Sequence, residues 1–245
     1  MTAVANRPVM PDISIMRLER LELRYAPRPW LFASARRAEI DEYFAELKQT
    51  KPALWNGRVL LMHEYQIDGG VFRGVYLDTD FASFVAWRHW DFPDRTVKNC
   101  FALGAVRGTD GGFLLGVMGP HTVNAGKIYF PAGTPDPHDI IGDNVDLMGN
   151  IWREVTEETG LARAELEAQP GWYCVLAGSY IAQVKILQAR ASADELRMRS
   201  LAHLTREREP ELADIRVVRG PADFDPMMPP FITAFLMHVW SQRTP

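Results

Sequence analysis

Few stretches of this 245-residue chain leave as little freedom as Leu147 to Gly160. Leu147, Ile151 and Val155 recur every four residues, which on a helix makes an apolar stripe that must lie against other apolar surface. Glu154, Glu157 and Glu158 are three and four apart, so their carboxylates project from one side within reach of a single ion. Gly160 can take the left-handed conformation that ends a helix. The spacing predicts a helix over 146–159 with one face buried and the other chemical. Like charges repel, so three clustered carboxylates cost helix stability unless a cation neutralises them. Oxygen-only ligands of this kind select Mg²⁺ or Mn²⁺ over zinc. On spacing alone, a solvated acidic face with an ordinary Arg153–Glu157 pair competes with this reading.

Around that helix the chain alternates between strand and helix periods. An extended segment at 13–25 is followed by a helix expected to be capped by Ser34, whose apolar residues Ile40, Tyr43, Phe44 and Leu47 share a face. Residues 58–66 and 71–78 read as two strands joined at Asp68-Gly69-Gly70, a composition that supplies the positive φ of a tight hairpin. A short helix starts at Asp80. Strands at 100–106, 113–118 and 127–130 come next, then the acidic helix, then strands at 172–178 and 181–189. Ser192 with Glu195 has the pattern of a capping box opening a helix to about Arg206. A strand at 215–219 and an apolar helix from Pro230 close the chain. Mixed strands with interspersed helices predict an α/β sandwich.

Composition narrows the function. A net charge of −4, with 27 Lys and Arg dispersed against 31 Asp and Glu, offers no footprint for nucleic acid and favours a small-molecule partner. Met1 to Met10 lacks a basic stretch followed by an apolar run, and Phe231 to Trp240 is about half the length needed to cross a bilayer. A soluble cytoplasmic protein without a membrane partner is expected; a homodimer is left open. Two cysteines, Cys100 and Cys174, are too few for a disulfide scaffold or a zinc site. The six histidines lack metal-ligand spacing, and only His121 and His138 lie near the acidic helix's loop. Nucleophile-elbow, Walker-type and dinucleotide-binding patterns are absent.

The string Arg153-Glu154-Val155-Thr156-Glu157-Glu158-Thr159-Gly160-Leu161 resembles the core of the Nudix box, G-x5-E-x7-R-E-U-x-E-E-x-G-U with U aliphatic, and matches every fixed position from its arginine onward. Upstream, Gly126 and Phe130-Pro131-Ala132-Gly133 resemble the strand and turn that enter the box. The loop departs from the pattern: Gly133 to Arg153 spans twenty steps instead of fourteen. Counting forward from Gly133 puts Asp139 where the motif has glutamate, and counting back from Arg153 puts Val145 there. Asp136, Asp139, Asp143 and Asp146 read as a solvated acidic loop.

The resemblance implies a Nudix-type α/β/α sandwich with a mixed sheet over residues 96–245, preceded by an α+β extension at 1–95 that shapes the substrate pocket. It implies Mg²⁺- or Mn²⁺-dependent hydrolysis of a nucleoside diphosphate linked to another moiety. Metal would be held by Glu154, Glu157, Glu158 and the backbone carbonyl of Ala132; Glu154 or Glu158 would also orient or deprotonate the water, and Arg153 would hold a carboxylate in place. Glu209 and Glu211, in the expected loop after the 192–206 helix, are candidates for a further carboxylate near the substrate. Trp55-Asn56-Gly57, Phe72-Arg73-Gly74, Asp80-Phe81 and the Trp87/Trp90 pair resemble a branch acting on UDP-sugars such as UDP-glucose, with Arg73 and Trp87 as substrate-binding residues. ADP-ribose and coenzyme A are rival substrates. A sensor that binds a nucleotide without cleaving it is the reading from a different class, opposed by the retained glutamates.

Overall fold

In the computed structural model, which describes residues 12–242, the chain begins with β1 (Ile13–Leu18), β2 (Arg20–Tyr25), α1 (Leu31–Ala35) and α2 (Arg37–Thr50). The stretch Met1 to Met10, read above for a targeting signal, lies outside the described residues. Next come β3 (Arg58–Asp68), β4 (Val71–Asp80), α3 (Phe81–His89), β5 (Asn99–Arg107), β6 (Phe113–Met118) and β7 (Ile128–Tyr129). Then follow β8 (Ile140–Ile141), β9 (Asn144–Val145), α4 (Leu147–Thr159) and β10 (Leu166–Ala168). The chain ends with β11 (Trp172–Ala177), β12 (Tyr180–Ala189), α5 (Ala193–Leu204), β13 (Leu212–Val218) and α6 (Pro230–Ser241).

Strand periodicity builds the larger sheet, ordered β1-β11-β12-β5-β6-β13 with β10 on β12 and β7 on β6. Its β12/β5 pair is parallel, whereas the other pairs are antiparallel. Along β5, Cys100, Ala102 and Val106 enter one apolar cluster with Ile151 and Val155 of α4. Phe101, Leu103 and Ala105 point the other way, to Ile232, Phe235 and Leu236 of α6. Helices thus cover both faces of a mixed sheet, the expected α/β/α sandwich. Among the described residues no helix is long and apolar enough to cross a membrane.

A second sheet, β3-β4-β2-β9-β8, carries the N-terminal elements. Gly69 and Gly70, at φ 54° and 75°, make the turn between β3 and β4 that the Asp-Gly-Gly composition predicts. Leu60 and Met62 of β3 join the α4 cluster, while Val59 and Leu61 face Phe84 and Trp87 of α3. One expectation fails here. Ser34 does not cap the long helix but lies inside α1, where its hydroxyl donates back to the Leu31 carbonyl at 3.1 Å. The chain turns earlier because Trp30, just ahead of α1, is buried in the α3 cluster. The last strand also starts three residues earlier than its apolar run, since Leu212 already pairs with Met118.

Two strand exchanges cross the division expected between residues 95 and 96. β1 pairs with β11, from Ile13 opposite Ala177 to Leu18 opposite Trp172, and β9 pairs with β2 at Arg24 and Asn144. A fragment of residues 96–245 would lose the strand covering β11 and, from the shared cluster, Leu60, Met62, Phe72 and Tyr76. It is expected to melt without a cooperative transition by circular dichroism where the full chain shows one. A cooperative transition for the fragment near the full chain's melting temperature would establish two independent units.

Candidate active site

Asp146 opens α4 by accepting from the amides of Met148 and Gly149 at 3.1 and 3.0 Å, and Gly160, at φ 69°, closes it. The apolar stripe seats on β5 at Gly104, where a Cβ would stand 2.6 Å from Val155 and 3.1 Å from Ile151. Such close seating carries the helix's flank down with it. Glu154 and Glu158 are buried, at 8% and 4% exposure, whereas the Glu157 side chain on the outer edge is 62% exposed.

Arg153 ties these groups to the preceding loop. Its guanidinium lies 2.7 Å from Glu154, 3.4 Å from Asp139 and 3.7 Å from Glu157. The acidic loop is therefore not simply solvated. Asp139 is 6% exposed and also accepts from Asn150 Nδ2 and the Asp136 amide, each at 3.0 Å. Asp146 is the cap of α4, Asp136 caps a short turn, and of the four only Asp143 is exposed. Asp139 is the carboxylate reached by counting forward from Gly133; Val145, reached by counting back, is buried in the α4 cluster. The six extra residues form the short β8–β9 ribbon, so the chain returns to α4 after the carboxylate has been placed. Asn150 was missed in the sequence, although a polar residue beside the stripe at 147 and 151 was its signal.

Burial raises the Glu154 carboxyl to about 7; Arg153 opposes the rise, while Glu211, Glu157 and Asp139 add to it. For Glu158 burial pushes the carboxyl well above its ordinary range, reinforced by Glu211 and Glu154 and partly opposed by the Ala132 backbone. Neither Glu158 oxygen has a hydrogen-bond partner of good geometry. Glu211, just ahead of β13, is exposed over part of its side chain, but burial raises its carboxyl above the ordinary range, with His121 opposing and Glu157 adding to the rise. Glu211 thus acts electrostatically on Glu154 and Glu158, whereas Glu209 is exposed. His138 is exposed and pairs with Asp136 at 3.0 Å.

A divalent cation fits these donors. A buried carboxylate with two unpartnered oxygens, a second whose proton burial retains, and an oxygen-only set are what a hard cation would stabilise. Glu158 and Glu154 would hold it, with Ala132 adjacent and Glu157 at the rim. Among the described residues no three His, Cys, Asp or Glu side chains already converge as a metal cluster, so these ligands would have to draw together on the ion. Gly133 is part of the fit: a Cβ there would lie 2.1 Å from Glu154 Oε1.

A cavity of about 360 Å³ adjoins Ala132, Gly133 and Thr134. The N-terminal region reaches it through Arg88 of α3 and Ile13, not through the residues expected. Trp87 is fully buried, its Nε1 donating to the Asp94 carbonyl at 2.8 Å and its ring packed edge-on against Trp30 and Phe92. It is a core residue rather than a substrate contact. Arg73 pairs with Glu22 at 2.8 Å and lines a separate groove of about 970 Å³ beside β2 and β3.

No protein-family model matches the chain, and a search of curated proteins found no match. Among solved structures it is similar to a Nudix hydrolase from M. smegmatis, RenU, at 17% identity and a TM-score of 0.37, over 60% of this chain and 86% of that one. It is also similar to the C-terminal domain of mouse MUTYH, in a complex with human PCNA, at 15% identity and a TM-score of 0.38, over 59% and 88%. The MutT protein of Methanosarcina mazei Go1 overlaps at 15% identity and a TM-score of 0.36, over 60% and 96%. All three TM-scores fall below 0.5, so the functional reading rests on the residues of the site.

Folding holds protons on Glu154 and Glu158 that the unfolded chain releases above their ordinary value of 4.5. Their folded values are raised, so metal-free stability falls as pH climbs from about 4.5 through about 7, the folded-state value of Glu154. Calorimetry should find this decline smaller in Glu158→Gln. Mg²⁺ should raise the wild-type melting temperature more above that window than below it. A decline identical in the variant and the wild type would sink the burial account.

Proposed function

We propose that the chain is a Nudix-type hydrolase that cleaves the diphosphate linkage of a nucleoside diphosphate joined to another moiety. The observation that carries this is Glu158, buried beside Glu154 at the loop 131–133 with both oxygens unpartnered, on a helix bearing the arginine and three glutamates of the box. A bound Mg²⁺ or Mn²⁺ would neutralise the diphosphate oxygens and acidify a water.

The chain's own residues do the rest. Glu158 and Glu154 would hold the ion, with Glu157 at the solvent edge. Arg153, itself held by Asp139, positions the Glu154 carboxylate through its guanidinium. Either Glu154 or Glu158 orients the attacking water or takes its proton, and Glu211 lies close enough to bias that choice electrostatically. Nucleotide sugars such as UDP-glucose, ADP-ribose and coenzyme A are the candidate substrates, since Trp87 and Arg73, whose pattern favoured UDP-glucose, lie in the core and beside a separate groove. The retained carboxylates favour cleavage over nucleotide sensing.

A panel of nucleotide sugars, ADP-ribose and coenzyme A with Mg²⁺, scored by mass and phosphate release, tests this. Chelation should abolish turnover, and Glu158→Gln should lower kcat at least about 100-fold with the fold intact. Turnover undiminished in excess EDTA would refute the mechanism. Gly133→Ala forces the Glu154 carboxylate aside, and a misplacement near 1 Å is expected to cost about 100-fold in kcat with little change in melting temperature. If Gly133→Ala kept full activity, Glu154 would not be a ligand.

A further inference from the structure

The segment between β6 and β7, residues 119–127, has no strand or helix of its own, yet it is tied down along its length. At its start the Gly119 N–H donates to the Glu211 carbonyl at 2.7 Å, which carries the β6/β13 pairing one step past Met118 and Leu212. A Cβ at Gly119 would stand 2.9 Å from that carbonyl oxygen, closer than a side chain tolerates. Pro120 restricts Gly119 to extended backbone. The Gly119 carbonyl in turn accepts twice from Thr122, from its N–H at 3.1 Å and from its hydroxyl at 2.9 Å.

The N-terminal region grips the rest of the segment. Lys51, the residue that ends α2, donates its ammonium to the Thr122 carbonyl, and among the described residues it pairs with no carboxylate. Hydrogen bonds from a charged donor are stronger than neutral ones, so the whole charge is spent on holding one turn. Val123 packs on the cluster of Trp30, Leu61 and Trp87, and Arg88 of α3 donates to Asn124 Oδ1 at 2.9 Å. A line of hydrogen bonds thus runs from Lys51 through Thr122 and Gly119 to the backbone of Glu211. Among the described residues the Glu211 side chain itself makes no hydrogen bond or ion pair, so its backbone sets where the carboxylate stands. That place matters because Glu211 acts on both Glu154 and Glu158 through space, and such action depends on distance.

We propose that Lys51 is a positioning residue for the metal site: by clamping Thr122 it fixes the 119–122 turn, and through the Gly119–Glu211 bond it keeps the Glu211 carboxylate where its charge helps retain a divalent cation at Glu154 and Glu158. The N-terminal region then serves the metal through the 119–127 segment. The inference rests on the hydrolase reading only in assigning the cation to those two glutamates.

Calorimetric titration of the full chain with Mg²⁺ alone tests this without turnover. Lys51→Met keeps the stem and removes the donor; it should weaken Mg²⁺ binding about threefold or more, and Lys51→Arg should restore it. Glu211→Gln should weaken binding too, and adding Lys51→Met to Glu211→Gln should cost nothing further, because the clamp works through that charge. If Lys51→Met fails to fold, Thr122→Val, which loses the hydroxyl bond to Gly119, replaces it in the same cycle. Wild-type affinity in folded Lys51→Met, no effect of Glu211→Gln, or losses that simply add in the double variant overturns the clamp. Non-additive losses of Mg²⁺ affinity in a protein that hydrolyses no diphosphate would refute the hydrolase reading alone. Mg²⁺-dependent hydrolysis with unchanged Mg²⁺ affinity in Lys51→Met would refute the clamp alone.

Discussion

Gly104 allows helix α4 to lie nearer the sheet than any side chain would permit, since a Cβ would press to within 2.6 Å of Val155. Most of the site's chemistry follows from that distance. The apolar stripe is sealed against β5, and the residues flanking it, Glu154 and Glu158, are drawn out of water with it. Burying carboxylates is unfavourable in itself, and the helix tolerates it because the stripe's contacts and the Asp146 and Gly160 caps hold the backbone.

The two buried glutamates are treated differently. Glu154 keeps a guanidinium 2.7 Å away, and that guanidinium is itself oriented by Asp139, which Asn150 and the Asp136 amide hold in turn. Glu158 has no comparable charged partner, only the Ala132 backbone set against the crowding of Glu154 and Glu211. A cation entering here would relieve repulsion and desolvation together, so binding and folding stability are coupled through the same atoms.

The N-terminal region is woven into this arrangement rather than appended to it. β1 extends the larger sheet beside β11, β9 returns the favour to the smaller one, and a single apolar cluster runs through both. Helix α3 shows what the interlock achieves. Consecutive residues on a helix point about 100° apart. Trp87 is therefore sealed among Trp30 and Phe92, while its neighbour Arg88 reaches the cavity at residues 132–134.

Sequence alone determined what depends on local periodicity and steric permission: the amphipathic helix with its Gly160 stop, the Asp-Gly-Gly turn, the alternating strands, and the three glutamates on one side of α4. Those features need only neighbours in the chain. The tertiary structure decided everything that depends on which surfaces meet. Asp139 and Val145 were equal candidates by counting, and only packing, which buries both but gives Arg153 to Asp139, separates them. Trp87 and Arg73 carried the right chemistry for a substrate contact, yet one lies in the core and the other beside a different groove. Arg88 carries no motif to mark it. It lines the cavity at residues 132–134 only because α3, the 124–134 segment and α6 meet there, contacts that join residues far apart in the chain and leave no local pattern to read.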